Sequence, residues 1–91
     1  MNNILINQIK ALSNKHRIHI LNIIHQNNGN LCYANIYEEI KMPSQTFNYH
    51  IKKLENAKII SSKRKKQKQI LAINYPILNS LKTNFNKLLD F

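Results

Sequence analysis

With 91 residues, 43% of them hydrophobic, the chain suits one small domain with a core of its own and argues against global disorder. Fourteen Lys+Arg against 4 Asp+Glu leave a formal net charge of +10, an excess that favours a polyanionic partner, either nucleic acid or an anionic membrane surface. No apolar run approaches the roughly 18 residues of a membrane span, the start MNNILINQIK lacks a secretory-signal pattern, and the single cysteine, Cys32, excludes an internal disulfide, so the expected location is the cytoplasm, with nucleoid association on DNA.

Residues 4–12 (ILINQIKAL) read as a short helix with Leu5, Ile9 and Leu12 on one side. Ser13 and Asn14 are capping types, and a second helix should run from them to about Gln26. Ile18, Ile20, Leu21, Ile23 and Ile24 cover over half its circumference, so it should be central and packed on at least two sides. NNGN, residues 27–30, is a turn holding the only glycine. Residues 33–40 form a third short helix, broken at Lys41-Met42-Pro43 because a residue before proline is pushed out of helical space. Ser44 is then the expected cap of a fourth helix reaching about Ala57.

Ile59-Ile60 begins a strand, SSKRKKQKQ is too charged for a core, and ILAI (70–73) returns as a second strand. The pair reads as a β-hairpin with a basic tip and no glycine at its turn. Pro76 suits the first turn of a last helix, in which Ile77, Leu78, Leu81, Phe85, Leu88 and Leu89 lie within a sector of about 120°. The expected fold is mostly α with a small β-hairpin, in the order four helices, two strands, one helix. Two helices joined by a three-residue turn and followed by a basic hairpin make a winged helix-turn-helix. One domain, 1–91, would hold the helix-turn-helix at about 33–57, the wing at about 59–74 and a last helix at about 76–91.

ALSNKHRIHIL, residues 11–21, resembles the opening Ala-Leu-Ser-x-x-x-Arg-Leu-x-Ile-Leu of ArsR/SmtB-type repressors. TFNYHIKKLENAKII, residues 46–60, resembles their recognition-helix signature. The two matches stand at the family's separation, and the resemblance covers about residues 4–91. It implies a homodimer paired through its first and last helices, with a fourth helix that enters the major groove. The interface residues would be Leu5, Ile9, Ile77, Leu78, Leu81, Phe85, Leu88 and Leu89. The family's metal sites do not carry over. Its Leu-Cys-x-Cys reads here Leu31-Cys32-Tyr33-Ala34, and after Glu55 the chain has no His and only Asp90 as an acid. A soft-metal site needs several thiolate or imidazole ligands, so no metal and no cofactor are expected. Lys58 stands where the family has glycine, which implies a non-glycine residue in a left-handed position there.

On the fourth helix, Gln45, Thr46, Asn48 and Tyr49 lie opposite the apolar side and would reach base edges. Amide side chains pair with adenine N6 and N7, and a Thr methyl meets a thymine methyl. Ser44, Lys52 and Lys53 would bind the backbone, with Lys63, Arg64, Lys65, Lys66 and Lys68 from the wing. Between residues 41 and 68 there are nine Lys or Arg and one Glu, so +8 of the +10 is concentrated there. His16 and His19 are spaced to share a metal but lack acid or thiol partners, His50 reads as a core-edge residue, and Cys32 lacks a resolving thiol. No acid–base pair or glycine-rich phosphate loop suggests an enzyme. The leading expectation is a dimeric, sequence-specific regulator of double-stranded DNA, a repressor acting by promoter occlusion on an inverted repeat with AT-rich character. A sequence-independent architectural protein would draw on the same charge. A protein-interaction module whose basic hairpin meets an acidic partner is a third reading.

Overall fold

The computed structural model describes the backbone of residues 3–88 and the side chains of residues 3–85. In chain order the elements are α1 (Asn3–Leu12), α2 (Lys15–Gln26), β1 (Asn30–Cys32), α3 (Tyr33–Ile40), α4 (Ser44–Asn56), β2 (Ile60–Lys65), β3 (Lys68–Ile73) and α5 (Tyr75–Leu88). The expected helices are all present. The sheet has three strands, ordered β1-β3-β2 with antiparallel pairing throughout. The addition to the expected hairpin is β1, which pairs Leu31 with Leu71 and Cys32 with Ile70.

Local chemistry sets the boundaries. Asn14 is extended at the start of α2, and its side chain accepts from the backbone N–H groups of His16 and Arg17 at 2.8 and 3.3 Å. Two helices end in the same doubly hydrogen-bonded turn. At the end of α2, Gly29 N–H donates to the Ile24 carbonyl and Asn28 N–H to that of His25. At the end of α4, Ile59 N–H donates to Leu54 and Lys58 N–H to Glu55. The turn needs a left-handed residue, and Lys58 supplies it at φ 64°. Ile59 and Leu54, both fully buried, meet across it, and the chain leaves directly into β2.

The core is one cluster. Ile20, Leu21, Ile23 and Ile24 of α2 meet Ile36 of α3, Phe47, Ile51 and Leu54 of α4, and Leu71 and Ile73 of β3. Each fully buried Ile, Leu or Phe favours the folded state by about 1.5–3 kcal/mol over leaving it in water. Ile18 departs from the expected pattern: it is 41% exposed, at the rim of a cleft with Leu12, His25, Tyr75 and Leu78. The side of α2 that carries it turns toward α5, which covers it incompletely.

The cap of α4 is a correction. Pro43 occupies the N-cap position and Ser44 is the first helical residue, with no side-chain cap bond. Proline has no N–H to offer, but its carbonyl accepts from Phe47 N–H at 3.0 Å and starts the helical ladder.

Candidate nucleic-acid interface

The two faces of α4 separate cleanly. Phe47, His50, Ile51 and Leu54 are buried at helical spacing. Gln45, Thr46, Asn48, Tyr49, Lys52 and Lys53 are all exposed on the remaining surface. Tyr49 is 54% exposed, and the Lys53 ammonium lies 5.4 Å from its ring centroid. Ser44 is exposed at the start of the helix.

Three contacts hold this helix at a fixed angle. First, Tyr33 and Tyr37 of α3 pack on Phe47 with ring centroids 4.8 and 5.3 Å away, which locks the helix-turn-helix. The left-handed Lys41 (φ 54°) closes the turn by donating its N–H to the Tyr37 carbonyl. Second, Gln8 of α1 donates to the carbonyl of Ala57, the C-cap residue of α4, at 3.1 Å. Third, Arg17 of α2, only 9% exposed, reaches His50 of α4. Its Nη1 lies 3.1 Å from His50 Nδ1, while Nε and Nη2 donate to the carbonyls of Ala11 and Lys10 at 2.6 and 3.2 Å. The cation therefore neutralises the negative end of α1 and braces α4 with the same side chain.

Burial, then the Arg17 charge, then His16 hold the His50 imidazole below its ordinary pKa. A neutral ring with Nδ1 as acceptor fits the Arg17 contact. His50 is thus the packed residue that was expected. The role of Arg17 was not foreseen, although two signals were available: it is the Arg of the family's opening pattern, and it shares a helical stripe with Ile20, Leu21 and Ile24, so a cation stands on an apolar face.

The wing emerges from the turn that ends α4. Registers pair Ser62 with Leu71, Lys63 with Ile70, Arg64 with Gln69 and Lys65 with Lys68. By strand alternation Lys63, Lys65 and Lys68 share one side of the wing and Arg64 the other, the side of Ser62. The Ser62 hydroxyl donates to Glu55 of α4 at 3.5 Å, so the Arg64 side is turned toward α4. All five cations of residues 63–68 are exposed. SSKRK, expected to belong to the charged stretch between the two strands, continues strand β2 to Lys65: solvent on both sides of the wing makes charge affordable there. The turn shrinks to Lys66-Gln67, with φ 50° and 68°, the two-residue pattern that ordinarily selects Asn-Gly.

The residues expected at a dimer interface divide. Ile9 and Phe85 line an apolar groove between α1 and α5 with Leu12 and Leu81, and Phe85 is 50% exposed. Leu5, Ile77 and Leu78 are half-buried against the core, and Leu81 is buried within the chain. The side chain of Leu88 and all of Leu89 lie outside the described residues. Among the described residues no group of three or more His, Cys, Asp or Glu is placed to hold a metal ion, and no helix is long and apolar enough to cross a membrane. His16 and His19 are exposed, and Cys32 is half-buried.

Known proteins share this fold. The chain is 26% identical over 78 residues to an arsenical resistance operon repressor of Staphylococcus aureus, covering 86% of this chain and 73% of that protein. Its fold is similar to that of an ArsR family transcriptional regulator (TM-score 0.81, 17% identity, 97% of this chain and 89% of the other). It is also similar to a homodimeric winged helix-turn-helix DNA-binding domain from Mycobacterium bovis, from a possible ArsR-family regulator (TM-score 0.76, 20% identity, 97% and 80%). The winged helix-turn-helix DNA-binding family matches residues 13–61, more than half of the 91, and this chain belongs to that family.

Proposed function

We propose that the chain is a homodimeric transcriptional repressor that binds a specific double-stranded DNA site and acts by occluding a promoter. The observation that carries this reading is the exposed amide-and-tyrosine face of α4, braced from three sides and flanked by a wing with five cations. Gln45, Thr46, Asn48 and Tyr49 would contact base edges in the major groove. Ser44, Lys52 and Lys53 would contact phosphates. Lys63, Arg64, Lys65, Lys66 and Lys68 would lie along the backbone or enter an adjacent narrow minor groove, where A·T tracts attract cations. The similar repressor from S. aureus supports the direction of regulation.

The apolar groove between α1 and α5, with Phe85 at its exposed edge, supports pairing of two chains across these helices. The homodimeric M. bovis domain of similar fold supports the same mode. Two α4 helices would then address half-sites about one helical turn apart on an inverted repeat, for which AT-rich sequence suits the wing. A DNA-binding regulator of this kind works in the cytoplasm, on the nucleoid.

The test is selection of bound duplexes from a random pool at physiological salt. The expected result is an enriched sequence with two-fold symmetry that random DNA displaces poorly. If random DNA competes as well as the best selected site, the chain is instead a sequence-independent architectural protein, a role its net charge of +10 would also serve.

A further inference from the structure

A second polar feature adjoins α4. Between α1, the start of α2 and the C-terminal half of α4 lies a cleft of about 460 Å³, lined among others by Asn7, Lys10, Arg17, Tyr49, Lys53 and Asn56. Three of these six are cations, and no described residue lining the cleft is acidic. Arg17 is its floor. Among the described residues every partner of that guanidinium is neutral: two carbonyls and one imidazole. Those bonds use three of the five N–H groups an arginine carries. Lys10 and Lys53 are exposed at the rim, and the Tyr49 ring lies beside the Lys53 ammonium.

Carbonyls at the ends of α1 and α4 also approach this cleft, and bare carbonyls would repel an anion. Those of Lys10 and Ala11 accept from Arg17, and that of Ala57 accepts from Gln8. What remains toward the opening is positive charge, with the amides of Asn7 and Asn56 and the Tyr49 hydroxyl as polar partners.

We infer that this cleft holds a phosphate group, gripped by Lys10 and Lys53 over the Arg17 floor. Tyr49 and Lys53 belong both to the cleft and to the exposed face of α4. A duplex lying on that face therefore brings its own backbone phosphate to the opening, and free inorganic phosphate offers the same chemistry. The DNA source rests on the function proposed above; the chemistry of the cleft does not. The binding surface thereby extends beyond the helix-turn-helix and wing to α1.

Lys10→Gln is the informative variant, because the Lys10 side chain is exposed and only its backbone carbonyl supports the fold. Duplex binding by the full chain is measured against salt. The slope of log K on log [salt] should become shallower by about one, equally for a selected site and a scrambled one. Gln26→Glu, which lowers the net charge by the same one unit at the exposed end of α2, should leave the slope unchanged; an equal change there would reduce the effect to net charge and overturn the proposal. In parallel, inorganic phosphate is titrated while the amide resonances of Asn7, Ser13 and Asn56 are followed. A shallower slope assigns the site to a DNA phosphate. An unchanged slope with saturable shifts that vanish in Lys10→Gln assigns it to free phosphate. An unchanged slope without such shifts overturns it. If the unaltered chain binds no duplex, the proposed function fails, and the phosphate titration still decides the cleft.

Discussion

The Arg17 guanidinium lies 3.1 Å from the His50 ring nitrogen Nδ1, so a buried cation on α2 fixes the position of α4, with no carboxylate partner among the described residues. The same guanidinium bonds two carbonyls at the end of α1. Arg17→Ala would take the guanidinium donors away from the Ala11 carbonyl and the imidazole, while the Lys10 carbonyl would keep its two bonds from Ser13. Bonds to a charged donor are worth about 1.5–3 kcal/mol each, with incomplete additivity, so the expected loss is about 2–4 kcal/mol in urea unfolding. Arg17→Lys keeps the charge but loses the planar fork, and it should recover less than half of the deficit.

His50 makes stability depend on pH. Its folded-state pKa is lowered, by burial first, then by Arg17 and His16, while the unfolded chain titrates at about 6.5. As pH falls through that unfolded value, the unfolded state takes up a proton that the folded state refuses. The contribution of His50 to stability is therefore complete above about pH 6.5, is lost below it, and levels off under the folded pKa. Urea titrations between about pH 5 and 8 should show the decline, and His50→Gln should flatten that part of the curve. An unchanged curve in His50→Gln would assign the dependence to another group.

Gly29 has no room for a side chain. A Cβ there would stand 2.7 Å from Tyr75 Cε2, at a φ of +86°. The ring cannot swing freely, because its hydroxyl lies 2.7 Å from His25 Nδ1. Gly29→Ala should cost about 1–3 kcal/mol from the backbone conformation and the clash together. A double-mutant cycle with Tyr75→Ser separates the two: relief of the clash should recover part of the loss, and the remainder measures the backbone.

How much of this was legible in the sequence differs by element. The two faces of α4 could be read directly, because burial at positions 47, 50, 51 and 54 is a local periodicity. The left-handed Lys58 followed from the family signature. Strand β1 left no such trace: it is three residues long and exists only through pairing with β3, some forty positions away in sequence. The start of strand β2 was legible at Ile59-Ile60, but its extent over 61–65 was hidden for a related reason. Composition signals burial, and an exposed wing strand has none; its register comes from β3. Arg17 was overlooked because a stripe of isoleucines dominates the helix around it, and the carbonyls that solvate the cation come from α1.

The wing turn carries local strain. Lys66 and Gln67 both occupy positive φ, which costs a residue with a Cβ about 1 kcal/mol or more. Lys65 and Lys68 also face each other across the ladder as like charges. Replacing the turn by Lys66→Asn with Gln67→Gly should stabilise the chain by about 0.5–1.5 kcal/mol in thermal or urea unfolding. No gain would mean that the turn relaxes to another geometry in solution.

The groove beside Phe85 predicts the assembly. Phe85→Lys puts a charge on an apolar surface that is 50% exposed in the single chain, so its fold should survive while self-association weakens. Sedimentation equilibrium should find dimers of the unaltered chain and mainly monomers of the variant at the same concentration. Equal masses would remove Phe85 from the interface.

The claim at the centre is that the exposed side of α4 recognises base pairs. Binding of Asn48→Ala is therefore compared on the best selected duplex, on the same duplex changed one base pair at a time, and on random DNA. The account predicts that Asn48→Ala loses about 1–3 kcal/mol of discrimination at one symmetric pair of positions, while its affinity for random DNA stays the same. Equal weakening on every duplex, or none on any, would contradict it.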